Sequence, residues 1–502
     1  MAGRASSERD GFIARHGLWG DERAEAASEV LRRVEADGLR LVRLAWVDSH
    51  GAVRAKGVTL RALRNALVDG YNINVATATL DASGGRVFAS FTQGGGMGLD
   101  EMTGSPNLVL VPDPTTFRAL PWAPGVGWML GDPYFHSGKP FPFATRRVLE
   151  TQRARLEERG WRMIVGIEVE WYLRRIENDR LSDAEVAHQD RRGRPLPTTA
   201  IEPGFSYHSE TNLDIMQPVF DALFDAFEGL GLKLRSLENE CGPGQVECTF
   251  EADDAGRAAD DMALFRTATR QVCRRMGYAA TFMCRPAFEG HFASGWHLHQ
   301  SLADARTGEN LLVPADGNHA LSPLGQSLLA GLIEHAGAAS AFVTPTVNGY
   351  RRFRANSLAP DRAGWGVDQR GAMIRVIGGG GDPGTRLENR AGEPAANPYL
   401  YIASQIAAGL DGIDRGLAAP SEDYAPYDAE RAMLPSDLDA ALRALDGSTL
   451  FRRDFGDLFV DYFIALKRAE LDRFRQHGID RGGHREINQV TEWEQNEYFD
   501  FF

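Results

Sequence analysis

The chain has 502 residues, 43% hydrophobic and 25% charged, the proportions of a soluble globular protein with room for a large core. A formal net charge of −14 argues against a general nucleic-acid binder, and no apolar run is long enough to span a bilayer. Four cysteines without CxxC spacing make neither a disulfide framework nor a thiolate zinc site, and residues 1–15 lack the apolar centre of a signal peptide, so a cytoplasmic protein is expected.

In chain order, residues 21–37 read as a helix closed by Gly38. Leu39–Val47 and Val53–Leu60 are strand-like with a turn signal between them, predicting a hairpin in a small N-terminal α+β domain. Residues 81–107, rich in Gly, Ser and Thr, predict a long loop, followed by a short strand at Leu108–Val111. Pro140 and Pro142 mark a boundary, and the expected domains are 1–137 and 138–502. A charged helix over about 145–159 ends at Gly160, and the polar residues 174–205 predict an insertion or loop. Residues 210–230 carry Ile215, Met216, Val219, Phe220, Leu223, Phe224 and Phe227 at helical spacing, the pattern of core packing. Further helices are expected over 254–276, from Asn397-Pro398 to about 416, and in the tail over about 435–476.

The chemistry gathers in strand-like stretches. Gly166–Leu173 alternates, placing Ile167, Val169, Trp171 and Leu173 on one face and Glu168 and Glu170 on the other. Alone, that pair also suits the solvent face of an edge strand. Three further stretches alternate in the same way: Gln245–Phe250, with Glu247; Trp296–Ser301, with His297, His299 and Ser301; and Arg386–Arg390, with Glu388 between two arginines. The economical picture is a curved sheet whose concave side is lined by Glu, His and Arg. Glu168, Glu170, Glu240, Glu247, His297 and Glu388 form an oxygen-rich set suited to two Mg²⁺ or Mn²⁺ ions, as in phosphoryl transfer. Arg352, Arg370, Arg375, Arg386 and Arg390 can bind carboxylate or phosphate; a single arginine is more often a surface ion pair, but these are interleaved with the metal-type residues. Gly378–Gly381 lacks a following Lys-Ser or Lys-Thr and reads as a flexible loop, not a phosphate-binding P-loop.

Taken in order, these stretches resemble the glutamine synthetase family over most of the chain. Glu168/Glu170 look like its E-x-E motif, and Glu240 to Glu247 like its E…GQ-x-E motif. Ser294–Ser301 look like S-G-x-H-x-H-Q-S, Asn348–Arg352 like N-S-Y-K-R and Arg386–Arg390 like R-x-E-x-R, while Pro394–Leu400 is nearly verbatim. The resemblance implies an α+β fold: an N-terminal β-grasp domain and a catalytic domain with a curved antiparallel half-barrel sheet backed by helices. It implies two stacked rings of six subunits, with active sites between neighbours. It also implies the chemistry, in which ATP phosphorylates glutamate's γ-carboxylate and an amine displaces the phosphate. By matched position, one metal falls to Glu170, Glu240 and Glu247, and the other to Glu168, His297 and Glu388. Arg352, Arg390 and Ala293 fall to glutamate. His299, Ser301, Arg370, Arg375 and Arg386 fall to ATP, and Arg370 and Arg390 to catalysis.

The sequence departs from the family where ammonium is handled. Leu358, in Asn356–Pro360, stands where ammonia-using members carry a catalytic glutamate, and Phe292-Ala293 replaces Asn-Gly. No clear ammonium-site aspartate precedes residue 107; Asp81 and Asp100 are the stand-ins, and Pro383 occupies the place of a lysine. The expectation is therefore a γ-glutamylamide synthetase whose amine pocket contains Leu358 and Phe292 and takes an apolar alkyl or aryl amine, with Trp296 a further apolar neighbour. The alternatives are an ammonia-dependent glutamine synthetase, a non-catalytic scaffold keeping the fold, and a phosphotransferase of guanidino-kinase type. Tyr424 lies near where some members are adenylylated, in a run that matches poorly and suits an exposed structural tyrosine.

Overall fold

The computed structural model describes residues 11–188, 192–315, 319–479 and 489–502. The first ten residues, read above for a leader segment, lie outside that set. The chain forms two compact units. The smaller comprises the chain up to Asp48, Val53–Thr79 and Phe88–Ala144; the larger comprises Ser49–Ala52, Leu80–Val87 and Thr145–Phe502.

The smaller unit is built on a sheet ordered Val53–Thr59, Leu41–Val47, Val126–Tyr134, Asn107–Pro112, Tyr71–Asn74. Leu41–Val47 and Val126–Tyr134 are parallel neighbours with antiparallel strands on both sides, and helix Leu60–Asp69 follows the first hairpin, a β-grasp arrangement. Val42, Leu44, Met129 and Leu130 are buried on it. Residues 139–144 continue this unit because Phe141 N donates to Pro133 O (3.0 Å) and Tyr134 pairs with Pro140.

The larger unit carries a ten-stranded half-barrel sheet whose spine runs Trp365–Val367, Ile374–Ile377, Arg386–Asn389, Trp296–Asp304, Trp161–Ile176, Gln245–Phe250, Leu234–Asn239. Neighbours on this spine are antiparallel except the Trp365–Val367 and Ile374–Ile377 pair, which is parallel. The central carboxylate strand, Trp161–Ile176, runs past both ends of the alternating stretch seen in the sequence. The polar segment expected from residue 174 therefore begins as strand, with Arg174 and Arg175 paired to Ala279 and Tyr278. The convex face buries Ile167, Val169, Trp171 and Leu173. Trp171 stacks on Phe282, Phe282 meets Phe265 edge-on, and Phe265 meets Phe250, an aromatic layer under helix Ala255–Arg275.

Helix Glu210–Leu230 buries Met216, Val219, Phe220, Leu223 and Phe227, but Ile215 and Phe224 are half exposed. Both lie off the centre of the stripe, where a 100° step carries the side chain toward the outer face. The helical tail is three helices, Leu438–Asp446, Thr449–Phe455 and Asp457–Phe474, interrupted at Gly447-Ser448 and Gly456. All four cysteines are free, and among the described residues no helix is long and apolar enough to cross a membrane.

Helix Pro398–Asp414 is buried almost throughout and starts as expected, with the Asn397 side chain accepting from Tyr399 N and Leu400 N. Its close approach to helix Pro323–Glu334 depends on glycine: a Cβ at Gly331 would collide with the Ala408 carbonyl oxygen. Because backbone cannot yield as a side chain can, Gly331→Ala is expected to destabilise the fold by about 1–3 kcal/mol, read as a lowered midpoint in chemical denaturation.

Candidate active site

Strand register assembles the site. Arg375 pairs with Glu388, Glu388 with His299, and His299 with Gly166. In the next row His297 pairs with Glu168, and Glu168 with Thr249. In the third, Glu170 pairs with Glu247, and Glu247 with Glu238. Residues opposite one another across antiparallel strands lie about 5 Å apart, so three adjacent rows bring carboxylates, imidazoles and a guanidinium onto one concave patch.

The hydrogen bonds fix both histidine tautomers. Arg386 Nε donates to His299 Nδ1 (3.1 Å), so His299 Nε2 donates to Glu168 Oε2 (3.0 Å). Arg352 lies 3.3 Å from His297 Nε2, which leaves Nδ1 facing Glu168 (2.6 Å) and Glu388 (3.7 Å). That approach requires Gly295, since a Cβ there would collide with the Arg352 guanidinium. Glu170 is held by Gln245 Nε2 and Gly295 N, both 3.0 Å from its Oε2.

Charge is unevenly balanced over the patch. Burial would raise Glu168 and Glu388, but the histidines beside Glu168, and Arg390 with His297 beside Glu388, outweigh it and hold both carboxyls below the usual range. On the other side cations are scarce. Burial, compounded by the charges of Glu168, Glu170, Glu240 and Glu238, pushes Glu247 up to about 10. Burial, with Glu238 and Glu168 adding, pushes Glu240 up to about 7. Two like charges 4 Å apart repel by roughly 4 kcal/mol at an effective dielectric of 20, so these acids cannot all ionise without a positive partner. Donor atoms of Glu168, Glu247 and His297 lie within 4.8 Å of one another, as do those of Glu168, His299 and Glu388. An oxygen-rich set short of positive charge fits hard divalent cations. These groupings differ from the sets matched by sequence because Glu168 turns to the imidazoles, the donors within its reach, while Glu170 and Glu240 stand outside both groups.

The arginines divide by partner. Arg390 and Arg375 both grip Glu388, the latter at 3.1 Å. Arg352 is buried and donates to the carbonyls of Arg390 (2.7 Å) and Gly392 (3.2 Å). Arg370 is exposed and, like Arg386, has no ion pair among the described residues; its carbonyl accepts from Arg390 Nε (2.9 Å). His299, Ser301 and Arg386 border an open cleft of about 760 Å³ that continues along Pro383, Gly384 and Thr385. The glycine loop before them is anchored by Gly379 N donating to Thr385 Oγ1 (2.9 Å).

Leu358 is 67% exposed at a positive φ of 59°, and its carbonyl accepts from Arg390 (3.4 Å). Phe292 is half exposed and its ring lies 5.3 Å from that of Phe205. Phe205 N donates to Cys241 O (2.7 Å), setting this aromatic pair beside the turn that carries Glu240. Tyr207, two residues on, feels Glu240, Glu247 and Glu238: burial and those charges push its phenol up to about 12. Trp296 does not join these residues. It is fully buried on the opposite face of its strand, edge-on to Tyr401, as the alternation from His297 requires. Asp81 is committed elsewhere, paired with Arg473 (2.6 Å) and accepting from Ser83 N and Gly85 N, and Asp100 is exposed. Tyr424 is 84% exposed.

Sequence reading missed Glu238, Phe205 and Tyr207. Leu234–Asn239 shows no apolar–polar alternation, with Leu234 and Leu237 falling on opposite faces, so Glu238 is placed only by its pairing with Glu247. The aromatics lie in an irregular loop without period, and no pattern could have found them.

The glutamine synthetase catalytic-domain family matches residues 143–481. The chain belongs to the glutamine synthetase family. It is 43% identical to a gamma-glutamylanilide synthase from an Acinetobacter species, over 98% of this chain and 99% of the relative. It is 30% identical to a gamma-glutamylethanolamide synthetase from Streptomyces coelicolor, over 93% and 94%. A solved structure described as a GmaS/ADP complex superposes with a TM-score of 0.74 at 28% identity, covering 93% of this chain and 98% of that one.

Beneath the Arg352 loop, Glu393 accepts from Thr346 N and Oγ1, both at 2.8 Å. Burial, with the Glu470 charge adding, pushes it up to about 8, against the opposing Thr346 hydrogen bonds and Lys467 charge. The unfolded chain loses this proton near the ordinary value of 4.5, so above that the folded protein holds more protons. Stability is therefore expected to fall as pH rises from about 5 to 8. Glu393→Gln should flatten that slope in melts taken across the range.

Proposed function

We propose that the protein is an ATP-dependent ligase that joins the γ-carboxylate of L-glutamate to an aromatic amine through a γ-glutamyl phosphate. The observation that carries the amine class is the exposed apolar Leu358 on the Arg390 side of the site, with Phe205 and Phe292 forming an aromatic edge beside the Glu240 turn. The named activity of the anilide-forming relative, 43% identical end to end, supports the same class.

The chemistry is consistent with these residues. An aryl amine is neutral at neutral pH, so its lone pair attacks an acyl phosphate without prior removal of a proton. The resulting N–H is strongly acidic and does not need the carboxylate that Leu358 replaces. Ammonium, by contrast, must be attracted and deprotonated by acidic groups, and the exposed side chain at 358 supplies none.

Arg352 and Arg390, with Ala293 beside Ser294, bind glutamate in this reading. Arg370 and Arg386, with no ion pair among the described residues, take ATP phosphates together with Arg375, His299 and Ser301. Arg370 and Arg390 also stabilise negative charge during transfer. By matched position Glu170, Glu240 and Glu247 would hold one divalent ion and Glu168, His297 and Glu388 another; Glu168, Glu247 and His297 already converge, and Glu170 and Glu240 would have to turn inward to join. When bound, such ions supply the positive charge that brings phosphate and carboxylate together. The proposed metal is Mg²⁺ or Mn²⁺, and the proposed setting a cytoplasmic dodecamer of two hexameric rings with sites completed between subunits.

The test is phosphate release with ATP, glutamate, Mg²⁺ and a panel of amines, with product mass identifying the γ-glutamylamide. Aniline should exceed ammonium in kcat/KM by about 100-fold; preference for ammonium over every organic amine would sink the reading. Leu358→Glu should narrow that ratio at least tenfold by the charge it adds. An unchanged ratio would remove Leu358 from the amine pocket.

A further inference from the structure

The C-terminal helix Glu492–Tyr498 lies beyond the residues matched by the family, yet it touches both loops that carry the proposed glutamate contacts. Glu494, fully buried, accepts from Arg351 Nε and a second Arg351 nitrogen (both 3.1 Å) and from Asn348 Nδ2 (3.2 Å). It also closes a capping box with Thr491, accepting from its N (2.8 Å) and Oγ1 (2.9 Å). Gln495 accepts from Ala287 N (2.8 Å), in the loop leading to Ala293 and Ser294. Tyr498 donates to Glu470 (2.6 Å) and receives Val347 N (3.3 Å).

Arg351 points away from the metal-type cluster, whereas its neighbour Arg352 points into it. The short helical turn Gly349–Arg352 is thus fixed at both ends of its width, by Glu494 behind and by the Arg390 and Gly392 carbonyls in front. A bidentate, buried guanidinium–carboxylate pair is geometrically strict, and loss of one partner strands the other's charge. Moving Arg351 therefore moves Arg352.

We propose that the C-terminal helix is a positioning element of the active site, in which Glu494, through Arg351 and Asn348, sets where Arg352 meets the α-carboxylate of glutamate. This rests on the ligase reading above. Glu494 touches no substrate; it acts through the arginine turn, so its removal affects one substrate selectively.

The experiment is steady-state kinetics of full-length Glu494→Gln, with Arg351→Lys as a second variant that keeps the charge and loses the fork. Glu494→Gln should raise KM for glutamate about tenfold, as sub-ångström misplacement of a substrate-holding group does. KM for ATP and for the amine should stay within about twofold, because their proposed contacts are not held by Glu494. Arg351→Lys should raise the glutamate KM by a smaller factor. An unchanged glutamate KM overturns the proposal, and so does a fall in kcat alone with every KM kept, the signature of a smaller folded fraction. If Glu494→Gln does not fold, Arg351→Lys decides; if neither folds, the helix is a structural clamp and the proposal falls. Wild-type protein that releases no phosphate in response to glutamate sinks the ligase reading instead, which separates the two failures.

Discussion

Repulsion among buried carboxylates is the constraint around which the larger unit is arranged. Four antiparallel strands place Glu168, Glu170, Glu247 and Glu388 on one face, with Glu238 next in register. A one-residue slip of any strand would send its acids into the aromatic layer around Trp171 and Phe282. The apolar back therefore fixes the register, and the register fixes the crowding in front. Histidine and arginine relieve the crowding around Glu168 and Glu388 but leave Glu247 and Glu240 holding protons at values unusual for a carboxyl. That imbalance is what makes the patch receptive to external positive charge.

Much of this was legible because strand alternation is a short-range signal. The carboxylate strand, the histidine strand and the Arg386–Asn389 strand all show their faces in the sequence, as does the Asn397 cap. The fold class followed from the family resemblance that these stretches carry. What the sequence hid is whatever depends on distant partners. Asp81 stands in the sequence as a candidate ammonium-site acid, but Arg473, almost four hundred residues later, pairs with it, whereas the turning away of Trp296 was already legible in the alternation from His297. Phe205 and Tyr207 sit in a loop held by backbone bonds to Cys241 and Asn239, an arrangement that leaves no period to read.

The arginines show the same division between local pattern and remote context. Their spacing suggested phosphate and carboxylate binding, but only the packing separates them. Arg351 and Arg352 are adjacent in sequence and opposite in duty, one bound to Glu494 and the other turned toward His297. Glu393 supports the same segment from below through Thr346. Three separated parts of the chain thus converge on one short turn, so its geometry is a property of the whole unit.

The link between Leu358 and Arg390 is made by a main-chain carbonyl. Any residue that tolerates the left-handed backbone at position 358 can offer that same oxygen whatever side chain it carries. The side chain at 358 is in this way uncoupled from the support of the arginine, so under the ligase proposed above a single codon would change what an incoming amine meets without unseating Arg390.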